Sequence, residues 1–187
     1  MVDDGQPGIP STSSRVIHIG QGEVRAVTDT SICLGTILGS CIATLIWDPE
    51  AKVGGLNHLL LPSSTGSDDG KVDHDINLME LLINGVVRAG GARNNLRAKV
   101  FGGARMIDGL GTTGAANAQF VDRFLADEGI PCVAKSVGGR YARRLRVWPA
   151  IGRVQQLRLR KFDEPDSAPE FLGLRAHALK LSGVELL

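Results

Sequence analysis

The sequence predicts an α+β protein, and three observations carry that reading. Short apolar runs recur along the chain, each bounded by Gly, Pro, Asp or Ser, as strands bounded by turns are. Two segments, 75–89 and 113–128, instead carry apolar residues at helical spacing. Finally, 24 of the 187 residues are glycine, a supply of tight turns that suits many short strands. Together these fit a mixed β-sandwich with helices packed outside.

The N-terminal residues 1–14 are rich in Gly, Pro, Ser, Thr and Asp, and read as a disordered segment. A domain over 15–162 follows. Val16 to Gly20, Val24 to Val27 and Ser31 to Leu34 are its first strand candidates, with His18 a half-buried strand residue. Gly39-Ser40 forms a flexible turn, after which an apolar run extends from Ile42 to Trp47. Asp48-Pro49-Glu50-Ala51 reads as a turn, since proline presets φ and Asp favours turn initiation. A second apolar run, Val53 to Leu61, carries one polar pair, Asn57-His58. Two such runs across a short turn predict a β-hairpin.

With Pro49 and Glu50 at the hairpin tip, Asp48 opposes Ala51 and Cys41 directly opposes His58. Directly opposed side chains share a face, with Cβ atoms roughly 4.5–5.5 Å apart. A slip of one residue sends His58 to the other face.

Ser63 to Gly70 is polar and turn-rich, and reads as a mobile loop. A helix over Asp75 to Ala89 follows, with Ile76, Met79, Ile83, Val86 and Val87 as its apolar stripe. Asp73 or Asp75 caps it, His74 stands at its entrance, and Gly90-Gly91 ends it. Leu96 to Phe101 is a strand ended by Gly102-Gly103, a pair that admits close approach of another backbone or of a ligand. Thr113 caps a second helix that runs to about Glu128, with Phe120, Val121, Phe124 and Leu125 toward the core and Gly129 as its stop. Ile130 to Val137 is a strand. Between Gly138 and Lys161 stand eight basic residues and no acid. Leu145, Val147, Leu157 and Leu159 alternate with these charges, so the stretch reads as a hairpin turning at Trp148–Gly152. Residues 163–187 form a C-terminal extension with no assigned structure.

Composition narrows the function classes. Hydrophobic residues at 43% and charged residues at 22% fit an ordinary soluble globular chain. A formal net charge of +1 gives no global argument for nucleic acid or membrane. The basic stretch carries few of the interleaved aromatics that single-stranded nucleic acid needs, and an acidic protein partner suits it better. The three cysteines, Cys33, Cys41 and Cys132, form no CxxC pair, so no metal site is expected. Sparse cysteines without a signal peptide predict a reducing cytoplasm. No apolar run approaches the roughly 18 residues of a membrane span.

The pairing of Cys41 with His58 carries a definite chemistry. A thiolate is a nucleophile, and an adjacent imidazole lowers a thiol's pKa below its usual value of about 8.5. The same imidazole can protonate a leaving amine and then activate water. Thr36 is placed to orient the ring, and backbone N–H groups at Gly39 and Ser40 can hold an oxyanion. By spacing alone, a small buried cysteine and a satisfied core histidine are the simpler account.

Longer motifs move that balance. Leu38-Gly-Ser-Cys-Ile-Ala-Thr-Leu-Ile-Trp-Asp-Pro49 and Val53-Gly-Gly-Leu-Asn-His-Leu-Leu-Leu-Pro62 resemble the signature of the CheD family, the chemoreceptor glutamine deamidases of bacterial chemotaxis. Ala98-Lys-Val-Phe-Gly-Gly-Ala-Arg-Met106, Gly114-Ala-Ala-Asn-Ala-Gln-Phe-Val121 and Val137-Gly-Gly-Arg-Tyr-Ala-Arg143 extend the resemblance. It runs from about Val16 to Lys161. Gly114-Ala-Ala-Asn117 lacks the family's usual Arg before Asn.

The resemblance implies a layered, α/β/β/α-like sandwich akin to the catalytic domains of glutamine-deamidating toxins. It implies hydrolysis of receptor glutamine side chains, with Cys41 as nucleophile, His58 as base and Thr36 as its orienting group, and without a cofactor or metal. Glutamyl methyl ester hydrolysis is a secondary activity that the same chemistry allows. Gly102, Gly103, Arg144 and Arg146 are the substrate-facing candidates, the two arginines steering acidic receptor helices toward Cys41. Implied partners are the cytoplasmic helices of chemoreceptors and a CheC-type chemotaxis phosphatase. A mainly non-catalytic role as regulator of that phosphatase is the alternative.

Overall fold

The computed structural model describes residues 16–59, 69–105, 113–159 and 184–186. The expected disordered segment 1–14 and most of the C-terminal extension lie outside them. Among the described residues ten strands are present: β1 (Val16–His18), β2 (Val24–Val27), β3 (Cys33–Leu38), β4 (Ile42–Asp48), β5 (Val53–Asn57), β6 (Arg97–Gly102), β7 (Cys132–Val137), β8 (Ala142–Trp148), β9 (Arg153–Leu159) and β10 (Val184–Leu186). The helices are α1 (Asp69–Arg88) and α2 (Thr113–Asp127). The strands form two sheets, in the orders β1-β3-β8-β9-β10 and β2-β5-β4-β6-β7. Each mixes parallel and antiparallel pairs, because β1 runs parallel to β3 and β6 runs parallel to β7. The fold is therefore the expected α+β sandwich.

Every residue of β4 is buried, which a strand alternating between core and solvent would not show. The cause is that both faces of its sheet are covered. Ala43, Leu45 and Trp47 enter the core between the sheets, with Leu56 and Phe101 beside them and Leu34, Leu38, Leu145, Val147 and Val154 opposite. Ile42 and Ile46 enter the other core, against Met79, Leu82, Ile83 and Val86 of α1 and Val121 and Leu125 of α2. Both described helices pack on that second sheet, so the described layers run helix, sheet, sheet. A fully buried aliphatic side chain contributes about 1.5–3 kcal/mol. The ion pairs Arg93–Glu128 and Lys135–Asp122 sit near the surface, where such pairs contribute about 1 kcal/mol or less. Aliphatic burial therefore holds the layers together.

Three sequence expectations change. α1 begins at Asp69, six residues before the expected start, so Asp69 and Gly70 belong to a helix and not to a loop. β3 continues to Leu38 and so takes in Thr36, since parallel pairing with β1 and antiparallel pairing with β8 extend it. Val184–Leu186, unassigned from the sequence, pairs antiparallel with β9.

The hairpin forms, but in a different register. Asp48 pairs with Val53, which leaves a four-residue loop. Asp48 explains the length. Its Oδ1 accepts from the N–H groups of Glu50 (2.8 Å) and Ala51 (3.0 Å), and its Oδ2 from Ala92 N–H (2.8 Å). Lys52 completes the turn with a φ of 51°. Leu45 opposes Leu56 and Ile42 opposes Leu59, which sets His58 across from Ala43. Direct opposition of Cys41 and His58 is thereby corrected. The shift is of two residues, so face is preserved, and the pair becomes a diagonal one at roughly 7–8 Å between backbones.

Candidate active site

The rung beside His58 is unusual. Thr44 N–H donates not to a backbone carbonyl of β5 but to Asn57 Oδ1, at 2.9 Å. Asn57 is fully buried, and its Nδ2 donates toward Met79 Sδ at 3.2 Å. The inserted side chain replaces a backbone rung just where β5 ends. His58 then takes its backbone partners from the β1–β2 connection: its N–H donates to Glu23 O (3.1 Å), and its carbonyl accepts from Gly22 N–H (2.8 Å).

The ring crosses the interior to the other sheet. His58 Nδ1 lies 2.9 Å from Thr36 Oγ1, and that oxygen lies 2.9 Å from the carbonyl of Ile19. A carbonyl only accepts, so the single hydroxyl proton of Thr36 goes to Ile19 O. His58 Nδ1–H must then donate to Thr36 Oγ1. This order leaves Nε2 unprotonated, with a lone pair. Nε2 is buried and has no hydrogen-bond partner among the described residues, the Cys41 sulfur included.

Cys41 is half-buried in the connection between β3 and β4. Burial pushes its thiol up, opposed by a hydrogen bond from its own backbone N–H. Burial pushes His58 down, opposed by the Ile19 carbonyl and the charge of Glu23. Neutral thiol and neutral imidazole are therefore favoured at rest. A depression of the thiol by the imidazole is not what the resting geometry gives: no hydrogen bond joins the two groups, and desolvation acts on each in the direction that disfavours charge.

The connection that carries Cys41 is anchored from behind at three successive carbonyls. Gly39 O accepts from Ala104 N–H (2.8 Å), Ser40 O from Asn117 Nδ2 (2.7 Å), and Cys41 O from Gly103 N–H (2.8 Å). Gly102 and Gly103 thus meet backbone, one of the two close approaches that the sequence allowed. A Cβ on Gly102 would lie 2.1 Å from Cys41 O, and one on Gly103 would lie 2.7 Å from Gly114 O. Gly103 also lines an open groove of about 450 Å³ between the start of α2 and the Gly138–Arg140 turn.

Arg144 and Arg146 are not brought to this cluster. Thr36 pairs with Leu145, whereas Arg144 and Arg146 pair with Ile37 and Gly35. Alternation puts both arginines on the face of the sheet opposite Thr36. Arg143 points inward at 5% exposure, and its guanidinium donates to Gly138 O (2.7 Å), Tyr141 O (3.3 Å) and Ser136 Oγ (3.4 Å). Sequence reasoning missed two asparagines. Asn57 was visible as half of the polar pair within an apolar run. Asn117 stands on the buried stripe Gly114, Asn117, Val121, Leu125, where a polar residue needs a partner. The Ile19 carbonyl left no signal, since any residue supplies one.

The proton order at Thr36 has a measurable consequence. Thr36→Val removes the nearer acceptor for Nδ1–H, leaving only the Ile19 carbonyl at 3.5 Å, and is expected to lower turnover by about 10²-fold, while Thr36→Ser stays near wild type. Nitrogen NMR of His58 should show the Nδ1–H tautomer in wild type and a mixture in Thr36→Val. An unchanged tautomer in the valine variant would count against this order.

Among the described residues no helix is long and apolar enough to cross a membrane. Comparison with known proteins agrees with the motifs. The family model described as CheD chemotactic sensory transduction matches residues 60–158. The probable chemoreceptor glutamine deamidase CheD of Caulobacter vibrioides (strain NA1000 / CB15N) is 48% identical over 156 residues, covering 82% of this chain and 81% of that protein. The protein of the same description from Cereibacter sphaeroides is 48% identical over 164 residues, 87% of this chain and 82% of that one. An alignment of that length takes in Thr36, Cys41 and His58, which lie upstream of the region matched by the family model. Among solved structures, the Bacillus licheniformis hypothetical protein YfiH matches with a TM-score of 0.41 and 11% identity, over 66% of this chain and 59% of that one. By its match to the family model over more than half its length, and by near-50% identity to curated relatives over most of it, the chain belongs to the CheD family.

Proposed function

We propose that this protein is a chemoreceptor glutamine deamidase, which hydrolyses specific glutamine side chains to glutamate and ammonia. The observation that carries this reading is the inter-sheet hydrogen bond between Thr36 and His58, which leaves Nε2 as a base on the face that Cys41 shares. The relatives named above, described as probable chemoreceptor glutamine deamidases, supply the substrate class.

In the proposed reaction His58 Nε2 takes the Cys41 thiol proton as sulfur attacks the glutamine amide carbon. The carbonyl π electrons move onto oxygen, and backbone N–H groups in the Gly39–Cys41 connection hold that oxyanion. The imidazolium returns the proton to nitrogen, the C–N bond breaks, and ammonia leaves a thioester. His58 then deprotonates water, water attacks the thioester carbon, the C–S bond breaks, and glutamate and the free thiol result. A glutamyl methyl ester enters the same sequence with methanol as leaving group. Receptor cytoplasmic helices are the partner this chemistry needs. Binding of a CheC-type phosphatase is the second partner that the family resemblance implies. Cys41→Ala separates the two, because it removes the nucleophile and leaves the surface intact.

The test is incubation with a purified receptor cytoplasmic domain, read by ammonia release and by the mass change of NH₂ to OH at single glutamines. The absence of both signals with the wild-type protein would refute the reading. The pH dependence follows from the sign of the shifts. The base must be neutral, and burial holds His58 below the usual imidazole value. The kcat/KM should therefore stay level through neutrality and fall only below about pH 6.5. An acid limb centred above that value would mean that His58 is charged at rest.

A further inference from the structure

The geometry points to Asn117 as a positioning residue that fixes the Ser40–Cys41 peptide plane, so that the Cys41 N–H is the donor that meets the oxyanion. This rests on the deamidase reading above and deepens it.

The Gly39–Cys41 connection lies outside the strand ladders, so its carbonyls must find partners elsewhere. Those of Gly39 and Cys41 take backbone N–H groups from Ala104 and Gly103, donors that no substitution except proline removes. The middle one, Ser40, depends on a side chain. Asn117 is fully buried on α2, and its Nδ2 stands 2.7 Å from Ser40 O.

A trans peptide is planar, with C=O and N–H on opposite sides. Holding Ser40 O toward α2 therefore aims the Cys41 N–H away from α2. Cys41 carries both this N–H and the attacking sulfur, and its own N–H favours the thiolate against the effect of burial. A carbonyl carbon attacked by that sulfur places its oxygen within reach of the same N–H. Without Asn117 the half-buried Ser40 carbonyl loses this donor, and rotation of the peptide plane would turn a carbonyl dipole toward developing negative charge. The effect belongs to the transition state, because the substrate carbonyl carries little charge before attack.

The experiment uses the full chain and two variants, Asn117→Ala and Asn117→Leu, the second of which keeps most of the side-chain volume. Deamidation of the receptor cytoplasmic domain gives kcat and KM. Iodoacetamide labelling of Cys41, followed by mass spectrometry, gives a second rate. Alkylation is displacement at a tetrahedral carbon and forms no oxyanion, so it reports the sulfur without the donor. In both variants kcat should fall about 10²- to 10³-fold. KM and the alkylation rate should stay within about threefold of wild type. If kcat is retained, Asn117 positions nothing that the reaction uses. If alkylation falls in step with kcat, or all three cysteines label alike, the residue supports the fold alone and the proposal fails. A wild-type protein that modifies no receptor refutes the deamidase reading first, and this inference with it.

Discussion

Cys41→Ala is expected to lower receptor deamidation on the order of 10⁴-fold or more, and His58→Ala by a comparable factor. The reason is that the two groups perform one proton transfer. Without sulfur there is no thioester, and without imidazole a thiol that burial has pushed up stays protonated. Because the losses belong to a single unit, the double variant should be no slower than the worse single variant. Steady-state rates of the two single variants and the double variant check this. Additive losses would mean that Cys41 and His58 act in separate steps. A His58→Ala protein of near-normal rate would assign the base to another residue. Cys41→Ala removes only a half-buried thiol, so it should melt close to wild type.

Gly102→Ala should bring the largest loss of stability among single-methyl additions at the described glycines. Gly102 has a φ of 112°, and its added Cβ would stand 2.1 Å from Cys41 O. Neither atom can yield cheaply, since Gly102 pairs with Ile42 and Cys41 O holds Gly103 N–H. Strain and clash together should cost about 3 kcal/mol or more. Gly138→Ala is the matched control. Its φ of 74° is also left-handed, yet nothing lies within 4 Å of the new atom, so only the backbone term of about 1–2 kcal/mol applies. Thermal melts of both variants decide. Equal shifts would mean that contact with the Cys41 carbonyl does not constrain the β6 end. A large shift for Gly102→Ala alone would make Gly102 the floor of the Cys41 connection, and would explain why the sequence carries a glycine pair there.

The strand and helix pattern was legible in the sequence because it is local. Side-chain alternation and helical spacing record which face of an element is buried, and β2, β4, β8 and α2 fall close to the segments that these patterns mark. Face parity was legible for the same reason. His58 and Cys41 share a face under both the expected register and the observed one, since the two differ by an even number of residues. The motif around Cys41 and His58 identified the family, which no single spacing would have done.

Everything that depends on two distant segments meeting needed the tertiary structure. Loop length in the hairpin follows from Asp48, whose second oxygen is held by Ala92, 44 residues away. The basic stretch 138–161 is continuous in sequence, yet strand alternation divides it between a buried arginine that braces a turn and two arginines on the far face. The proton order at His58 depends on the carbonyl of Ile19, and the Cys41 connection depends on Asn117. Periodicity records burial along one strand or helix. A hydrogen bond between sheets depends on angstrom-scale placement set by both cores at once.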